Sequence, residues 1–391
     1  MTMKYFRFAF MSIYDNIKVN ILMVAEILVI LLGVNIIVGS YNNRNMLIEP
    51  YSQILKKTGW YMANDKNIVN DEPLLDHFQG DLEQIRIESY LDNMGNIPIR
   101  IKIVPDEIID NMKLSVQSGK WQTNSEKDIV CISAPNIYGI TVGDTIKTAT
   151  IKGIKVTAIL TDPCYIPDYS SWSSNGGIEN FYSKYSTVYY DNSVDNNELI
   201  LIMSQSEFAE TGLKINSFNF KFILYDDNPT IESTAHNEQV IKDNYSIGVP
   251  LSSINYRAEL DIKNLLKKYI PIAASAFIVI LIGIISCTAI NTLRQTKNYG
   301  TLFICGMRWS DCIKICAAYT TIIMICSVSL AIAAASVCKI FNISAYFGLT
   351  FQWNNVIISI LILTVMLLLN LIIPAFIIRH KTPVEIIKEN N

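Results

Sequence analysis

The sequence predicts an integral membrane α-helical bundle of four transmembrane helices, with a large α+β extracytoplasmic domain inserted between helices 1 and 2. Three observations predict it. The 391 residues are 50% hydrophobic and only 17% charged, too apolar for one soluble domain and too polar for a chain buried throughout in lipid. Apolar runs close to the roughly 20 residues that cross a bilayer fall at Ile21–Val38, Ile270–Ile290, Ile315–Cys338 and Val356–Ile378, one early and three late. Charge is also partitioned: Tyr41–Lys268 holds 30 acidic and 21 basic residues, a net −9, while the remainder sums to +6.

Lys and Arg in short loops mark the cytoplasmic side. In Met1–Asn20, Asn291–Lys314 and Arg379–Asn391 together, ten basic residues face four acidic ones. Both termini and the Asn291–Lys314 stretch are therefore expected inside the cell, and the acidic Tyr41–Lys268 region outside. An acidic exterior does not favour nucleic acid, which calls for a basic footprint.

Residues 1–20 are read as a cytoplasmic amphipathic helix, because Tyr5, Phe6, Phe8, Phe10, Met11, Ile13, Tyr14 and Ile17 are broken by Lys4, Arg7 and Asp15. Such a segment suits the membrane interface. Residues 21–40 form transmembrane helix 1, a retained anchor rather than a signal peptide, since Gly39-Ser40-Tyr41-Asn42 follows it with no small-x-small cleavage pattern. Glu26 is the one ionisable residue inside this run. A charge at mid-bilayer costs about 2.5–3.5 kcal/mol on insertion scales, so Glu26 is expected to face protein. It is either a polar, proton or substrate contact, or a carboxyl that reaches the headgroups or stays protonated.

Residues 41–255 are expected to be the extracytoplasmic domain. Ile97–Val104 alternates apolar and polar residues, Asp128–Ser133 is a short apolar run, Asp144–Ile151 alternates again, and Lys155–Leu160 closes a series of strands. Helices are expected at Glu72–Ile85, Pro105–Met112 and Ser206–Gly212. From Tyr165 to Asn192 aromatic residues interleave with Ser, Asn and Gly. Tyr169, Trp172, Phe181 and Tyr182 mark this stretch as either a substrate-recognition surface or a segment packed on the domain core.

Residues 256–290 read as a polar stalk, with Glu259 and Lys263 spaced for an i,i+4 pair, running through Pro271 into transmembrane helix 2. Residues 291–314 follow as a cytoplasmic coupling loop or helix. This stretch carries Arg294, Lys297, Arg308 and Lys314 against Asp311, with Gly300 and Gly306. Its spacing suits an amphipathic helix touching a partner, or a loop whose charge only sets orientation. Residues 315–338 are transmembrane helix 3, 339–355 a short external loop, 356–378 transmembrane helix 4, and 379–391 a cytoplasmic tail.

Catalytic chemistry is not indicated. His77, His236 and His380 lack ligand spacing, and the sequence holds neither a G-x-x-x-x-G-K-[ST] phosphate loop nor a G-x-S-x-G elbow. No metal or cofactor is expected, and the chain is not expected to be an enzyme on its own. Of eight cysteines, only Cys131 and Cys164 lie in the external region, where a disulfide between them is one option.

The order of spans resembles that of the FtsX-like permeases, the membrane subunits of the MacB and LolCDE class (type VII) of ABC transporters. Three stretches carry the likeness. Arg294 to Ile313, with Gly300, Leu302, Gly306, Met307, Asp311 and Ile313, is similar to the family's cytoplasmic pattern, although Asn298 stands where the family commonly has Glu. Pro374-Ala375 and Pro383-Val384-Glu385 look like its C-terminal signature. Gly119-Lys120-Trp121, Asp128–Ser133, Gly143-Asp144-Thr145-Ile146 and Lys155–Leu160 are similar to the core of its external domain.

The resemblance implies a multi-pass permease of a bacterial cell membrane that forms a homodimer, or a heterodimer with a related permease. ATP would be bound by a separate cytoplasmic ABC ATPase, contacted through Arg294, Lys297, Gly300, Gly306, Arg308 and Asp311. The cycle of that partner would work the external domain by mechanotransmission, for export or release of a peptide, lipoprotein or envelope-active molecule. The alternatives are a membrane-anchored sensor or interaction protein, and an ATPase-linked regulator of cell-wall hydrolases that moves no substrate.

Overall fold

A computed structural model describes residues 2–63, 76–114, 116–120, 130–133, 138–148, 150–151, 153–161, 164–168, 177–185, 198–225, 229–244, 247–340 and 353–380. The α-helices are α1 (Thr2–Asp15), α2 (Ile17–Ile48), α3 (Asp106–Asn111), α4 (Gln205–Glu210), α5 (Ile231–Asn244), α6 (Leu251–Ile304), α7 (Trp309–Ile340) and α8 (Trp353–His380). The chain divides into two compact units, one of Met1–Asn42 with Leu265–Asn391 and one of Asn43–Asn264.

The first unit is helical. Among the described residues four helices are long and apolar enough to cross a membrane, over Ile17–Tyr51, Leu251–Thr296, Ser310–Cys338 and Asn355–Ile377. Each apolar run of the sequence lies inside one of these helices. Met23, Ile27, Ile30 and Leu31 form a stripe along α2 at helical spacing. They pack with Ile284 and Cys287 of α6, Ala318, Tyr319, Ile323 and Met324 of α7, and Met366 of α8. Ile278, Val279, Ile282, Ile360, Leu361 and Leu368 point outward, where hydrocarbon accepts apolar side chains at no cost. Polar pairs fasten the bundle inside: Asn42 Nδ2 donates to Asn355 Oδ1 at 3.1 Å, and Thr288 Oγ1 to Asn370 Oδ1 at 3.2 Å. Between α2 and α7, the Tyr319 hydroxyl donates to Asn20 Oδ1.

The second unit is α+β. Its strands are β1 (Gly59–Ala63), β2 (Leu82–Met94), β3 (Ile97–Val104), β4 (Val116–Gly119), β5 (Val130–Ser133), β6 (Thr145–Ile146), β7 (Ile154–Leu160), β8 (Cys164–Pro167), β9 (Tyr182–Tyr185), β10 (Leu199–Ser204), β11 (Ser217–Tyr225) and β12 (Ile247–Pro250). Ten described strands make one mixed sheet in the order β12-β1-β11-β2-β3-β10-β5-β7-β4, with β6 on β7; β8 and β9 pair separately. Strands β3 and β10 run parallel, as do β5 and β7. Alternation along each strand sends its apolar residues to both faces. One face carries Ile87, Val104, Leu160, Ile202, Phe220 and Phe222, which pack with Ile108 and Ile109 of α3 and with Ile166, Phe181 and Tyr182 of the β8–β9 pair. The other carries Ile99, Ile101, Ile103, Val156 and Leu201 against Phe208 of α4, and separately Trp60, Met62, Ile223 and Tyr225 against Ile241 of α5.

The expected strand over Ile97–Val104 is β3 itself, and α3 and α4 stand where helices were expected. The helix expected over Glu72–Ile85 is corrected. Leu82–Ile85 belong to β2, the longest described strand at 13 residues, while 72–75 lie outside the described residues. Ile85 and Ile87 face one core while Arg86 and Glu88 point to the other face, a two-residue period that pairs with β11 through Phe222 and Phe220. The strand expected over Asp144–Ile151 shortens to β6, because Thr148 and Thr150 turn back to donate their hydroxyls to Asp92. Cys164 is buried in β8, and the side chain of Cys131 lies outside the described residues.

Candidate functional site

The basic stretch of residues 291–314 is not a separate short helix. It is about the last four turns of α6, a tight turn, and the first residues of α7. Gly306 takes φ +92, a left-handed conformation that L side chains adopt at a cost. Its N–H donates to Phe303 O at 2.9 Å and the Met307 N–H to Leu302 O at 3.0 Å, the two bonds of a Schellman helix end. Met307 and Leu302 also pack on the same cluster of Tyr299, Cys312, Ile315 and Cys316. Helix α7 then begins at once. The Asp311 carboxylate reaches back to the Arg308 N–H at 3.4 Å, half of a capping box.

Asp311 is fully engaged within the chain. Its Oδ1 accepts from the Tyr5 hydroxyl of α1 and from Lys314 Nζ, both at 3.0 Å, and Lys314 Nζ lies 5.6 Å from the centre of the Tyr5 ring. The hydrogen bond to Asp311 holds the Tyr5 phenol above its ordinary value. Of the six residues expected to meet a partner, Asp311 thus orders the turn, Gly306 shapes it and Gly300 is buried on α6. Arg308 and Arg294 remain exposed, Arg294 reaching Asn16 Oδ1 at 3.5 Å. The side chain of Lys297 lies outside the described residues.

The amphipathic pattern of this stretch is real, with its polar side turned inward. Thr288, Asn291, Thr292, Gln295, Thr296 and Tyr299 are buried, while Leu293 is 50% and Ile304 65% exposed. The buried side satisfies itself: Gln295 Nε2 donates to Asn291 Oδ1 at 3.4 Å, the Tyr299 hydroxyl to Gln295 Oε1 at 2.6 Å, and Thr292 and Thr296 to the carbonyls four residues back. Burial lifts the Tyr299 phenol well above its ordinary value, and the nearby Cys316 adds to it. The residue types were legible as a stripe; which side of it faced protein was not.

The aromatic stretch divides differently. Phe181 is 0% and Tyr182 4% exposed, so neither forms an open recognition surface. Phe181 sits among Tyr51, Tyr61, Phe220 and Phe222 at ring-centre distances of 4.8–5.7 Å, and the Tyr182 hydroxyl donates to Leu47 O at 3.0 Å. Core packing is their role. Tyr169 and Trp172 lie outside the described residues. Under the same hairpin, and unmarked by any motif, Lys102 Nζ of β3 pairs with Asp168 Oδ1 at 2.5 Å, and the Tyr185 hydroxyl donates to Asp168 Oδ2 at 2.7 Å. Beside them Arg100 grips Glu198 with two bonds of 2.8 and 3.0 Å.

Glu26 faces α6 as expected. Its Oε1 lies 2.5 Å from where a Cβ on Gly283 would stand, so a side chain at 283 would require the carboxyl to move. Among the described residues no group of His, Cys, Asp and Glu could hold a metal ion.

Four long apolar helices beside an α+β unit are consistent with a membrane protein that carries a large domain outside the bilayer. No family model matches the chain, and no curated protein matches it. Among solved structures it is similar to the periplasmic region of MacB from Actinobacillus actinomycetemcomitans, at 11% identity and a TM-score of 0.25, over 55% of this chain and 97% of that one. It is also similar to a domain of a protein from Porphyromonas gingivalis provisionally named a permease, at 8% identity and a TM-score of 0.23, over 49% of this chain and 86% of that one. At these TM-scores neither likeness decides fold or function.

Proposed function

We propose that this chain is the membrane-spanning subunit of an ATP-driven complex, working through a separate ATPase rather than through chemistry of its own. The observation that carries the proposal is the α6–α7 turn. Two opposed helix caps and Asp311 order it, and it presents Arg308, with Arg294 exposed about three turns earlier on α6. A turn held by its own backbone and by one internal carboxylate keeps its outward cations available, which suits docking on a partner. Four apolar helices supply the membrane part, and a sequence without a phosphate loop leaves the energy to another chain. The family resemblance of residues 294–313 points the same way. In this reading the α+β unit is the element that the partner's cycle biases, and the cargo is a peptide, lipoprotein or envelope-active molecule.

The test is recovery of partners. Tagged full-length chain, extracted from its native membranes in mild detergent, is expected to bring down an ATPase with a phosphate loop. The pair Arg294→Glu and Arg308→Glu is expected to lose that ATPase while inserting normally. Failure of the unmutated chain to recover any ATPase refutes the proposal.

A further inference from the structure

Among the described residues, the N-terminal helix is tied to the turn through Tyr5. Helix α1 packs along α7, with Ala9 buried in the bundle core and Tyr5 set against both that core and the Tyr299–Cys312–Cys316 cluster. From that place the Tyr5 hydroxyl donates to Asp311 Oδ1 and its ring lies against the Lys314 ammonium. Asp311 in turn holds the Arg308 N–H. A continuous chain of contacts therefore runs from the first helix to the residue that carries the exposed cation.

We propose that Tyr5 is a positioning residue for the α6–α7 turn, so that α1 belongs to the partner-contact element rather than serving only as a membrane-surface anchor. The proposal rests on the reading of this turn as the partner contact. Removing the hydroxyl leaves the ring, its packing and its place against Lys314 intact, but takes away one of the two donors to Asp311 Oδ1, with Lys314 Nζ as the remaining one, and so loosens the carboxylate that holds the Arg308 N–H.

Cysteines built into the corner report on this without any ATPase. Cys312 is 0% exposed and packs in the cluster that Tyr5 covers, whereas Cys305, one residue before Gly306, is exposed. Alkylation of Cys312 needs the corner to open, and its rate follows the opening equilibrium. In full-length chain treated with N-ethylmaleimide and read by peptide mass spectrometry, Tyr5→Phe is expected to raise the Cys312 rate relative to Cys305 by about threefold to tenfold, the factor carried by one lost hydrogen bond of ordinary net strength. Asp311→Asn is expected to do the same, and the double variant to add nothing beyond the larger single effect. An unchanged ratio in Tyr5→Phe, or losses that multiply, overturns the clamp.

A second arm separates positioning from simple stability. With the ATPase recovered from membranes, Tyr5→Phe is expected to lower kcat for ATP hydrolysis by a similar factor, with KM for ATP and the amount of ATPase recovered unchanged. A shifted Cys312 ratio with unchanged hydrolysis makes Tyr5 merely structural and overturns the proposal. If unmutated chain recovers no ATPase, the partner reading and the positioning role fall together, while the Cys312 ratio still decides whether the clamp exists.

Discussion

Replacing Asp168 by Asn strands a fully buried ammonium. Lys102 has a side-chain exposure of 0% and Asp168 of 12%, so little water reaches either group. Burial already pushes the Lys102 ammonium below the ordinary lysine value, with the Asp168 carboxylate opposing. Breaking one partner of such a pair costs about 3–5 kcal/mol, because the remaining charge is uncompensated. Asparagine preserves the shape and can still accept from the Tyr185 hydroxyl, so the change isolates the charge. For a unit of this size about 2–4 °C of Tm accompanies each kcal/mol, so Tm is expected to fall by roughly 6–20 °C. The measurement is thermal unfolding of the full-length chain, with hydrogen exchange at β8 and β9 to locate the loss. The sign with pH follows from the lowered lysine: the folded chain binds fewer protons than the unfolded one, so stability rises with pH as Lys102 deprotonates. The Asp168→Asn deficit is therefore expected to be fullest near neutral pH and to shrink toward alkaline pH. The double change Lys102→Met with Asp168→Leu is expected to restore most of the loss, since an apolar pair of similar volume needs no desolvation. A Tm shift in Asp168→Asn below about 2 °C, a third of the smallest loss expected here, would refute the view that this pair latches the hairpin to the sheet.

Three further outcomes follow from single positions. Phe181→Ala empties the centre of the aromatic cluster and is expected to cost about 3–5 kcal/mol in equilibrium unfolding; a loss under about 1 kcal/mol would return the residue to the surface. Gly283→Val meets the terminal carboxyl of the flexible Glu26 side chain and no backbone, so the carboxyl is expected to swing aside and a cysteine pair engineered across α2 and α6 to crosslink as readily as before; a clear loss of crosslinking would count against this packing. Burial pushes the Glu207 carboxyl up to about 7, with Glu210 and Asp106 adding and the Ser204 hydrogen bonds opposing. Between the ordinary glutamate value near 4.3 and about 7 the folded chain holds the extra proton, so stability falls as pH rises through that window. Glu207→Gln is expected to raise Tm at pH 8 and to leave it unchanged at pH 4; equal effects at both would sink the assignment.

The sequence disclosed what is periodic and local. Ile97–Val104 announces β3 because a two-residue period with β-branched residues has few other uses, and the four spans follow from length and composition. The heart of the sheet was harder to see. In β2, the charges Arg86 and Glu88 alternating with Ile85 and Ile87 fit a helix as readily as a strand until β11 lies beside it, and β10 (Leu199–Ser204) is buried along its whole length and shows no period. Phe181 and Tyr182 follow the same logic, since interleaved Ser, Asn and Gly describe a connection but not what covers it. At the α6–α7 turn, Gly306 and Asp311 stood out as residue types. The helix end at Gly306 is local, but the role of Asp311 as an internal clamp needed Tyr5, some three hundred positions away in the chain, and no local pattern supplies that partner.

The inward-facing polar stripe of α6 also limits how that helix can move. Successive residues on a helix are about 100° apart, so turning α6 by one position would carry Gln295 and Asn291 away from their partners and bring Leu293 against Tyr299's partners. Thr288 on Asn370 and Tyr299 beside Cys316 set the same angle from two neighbouring helices. Tilting or sliding leaves the stripe covered, whereas axial rotation breaks its hydrogen bonds and sets apolar Leu293 among the polar partners. Whatever motion this bundle makes, α6 is keyed against spinning.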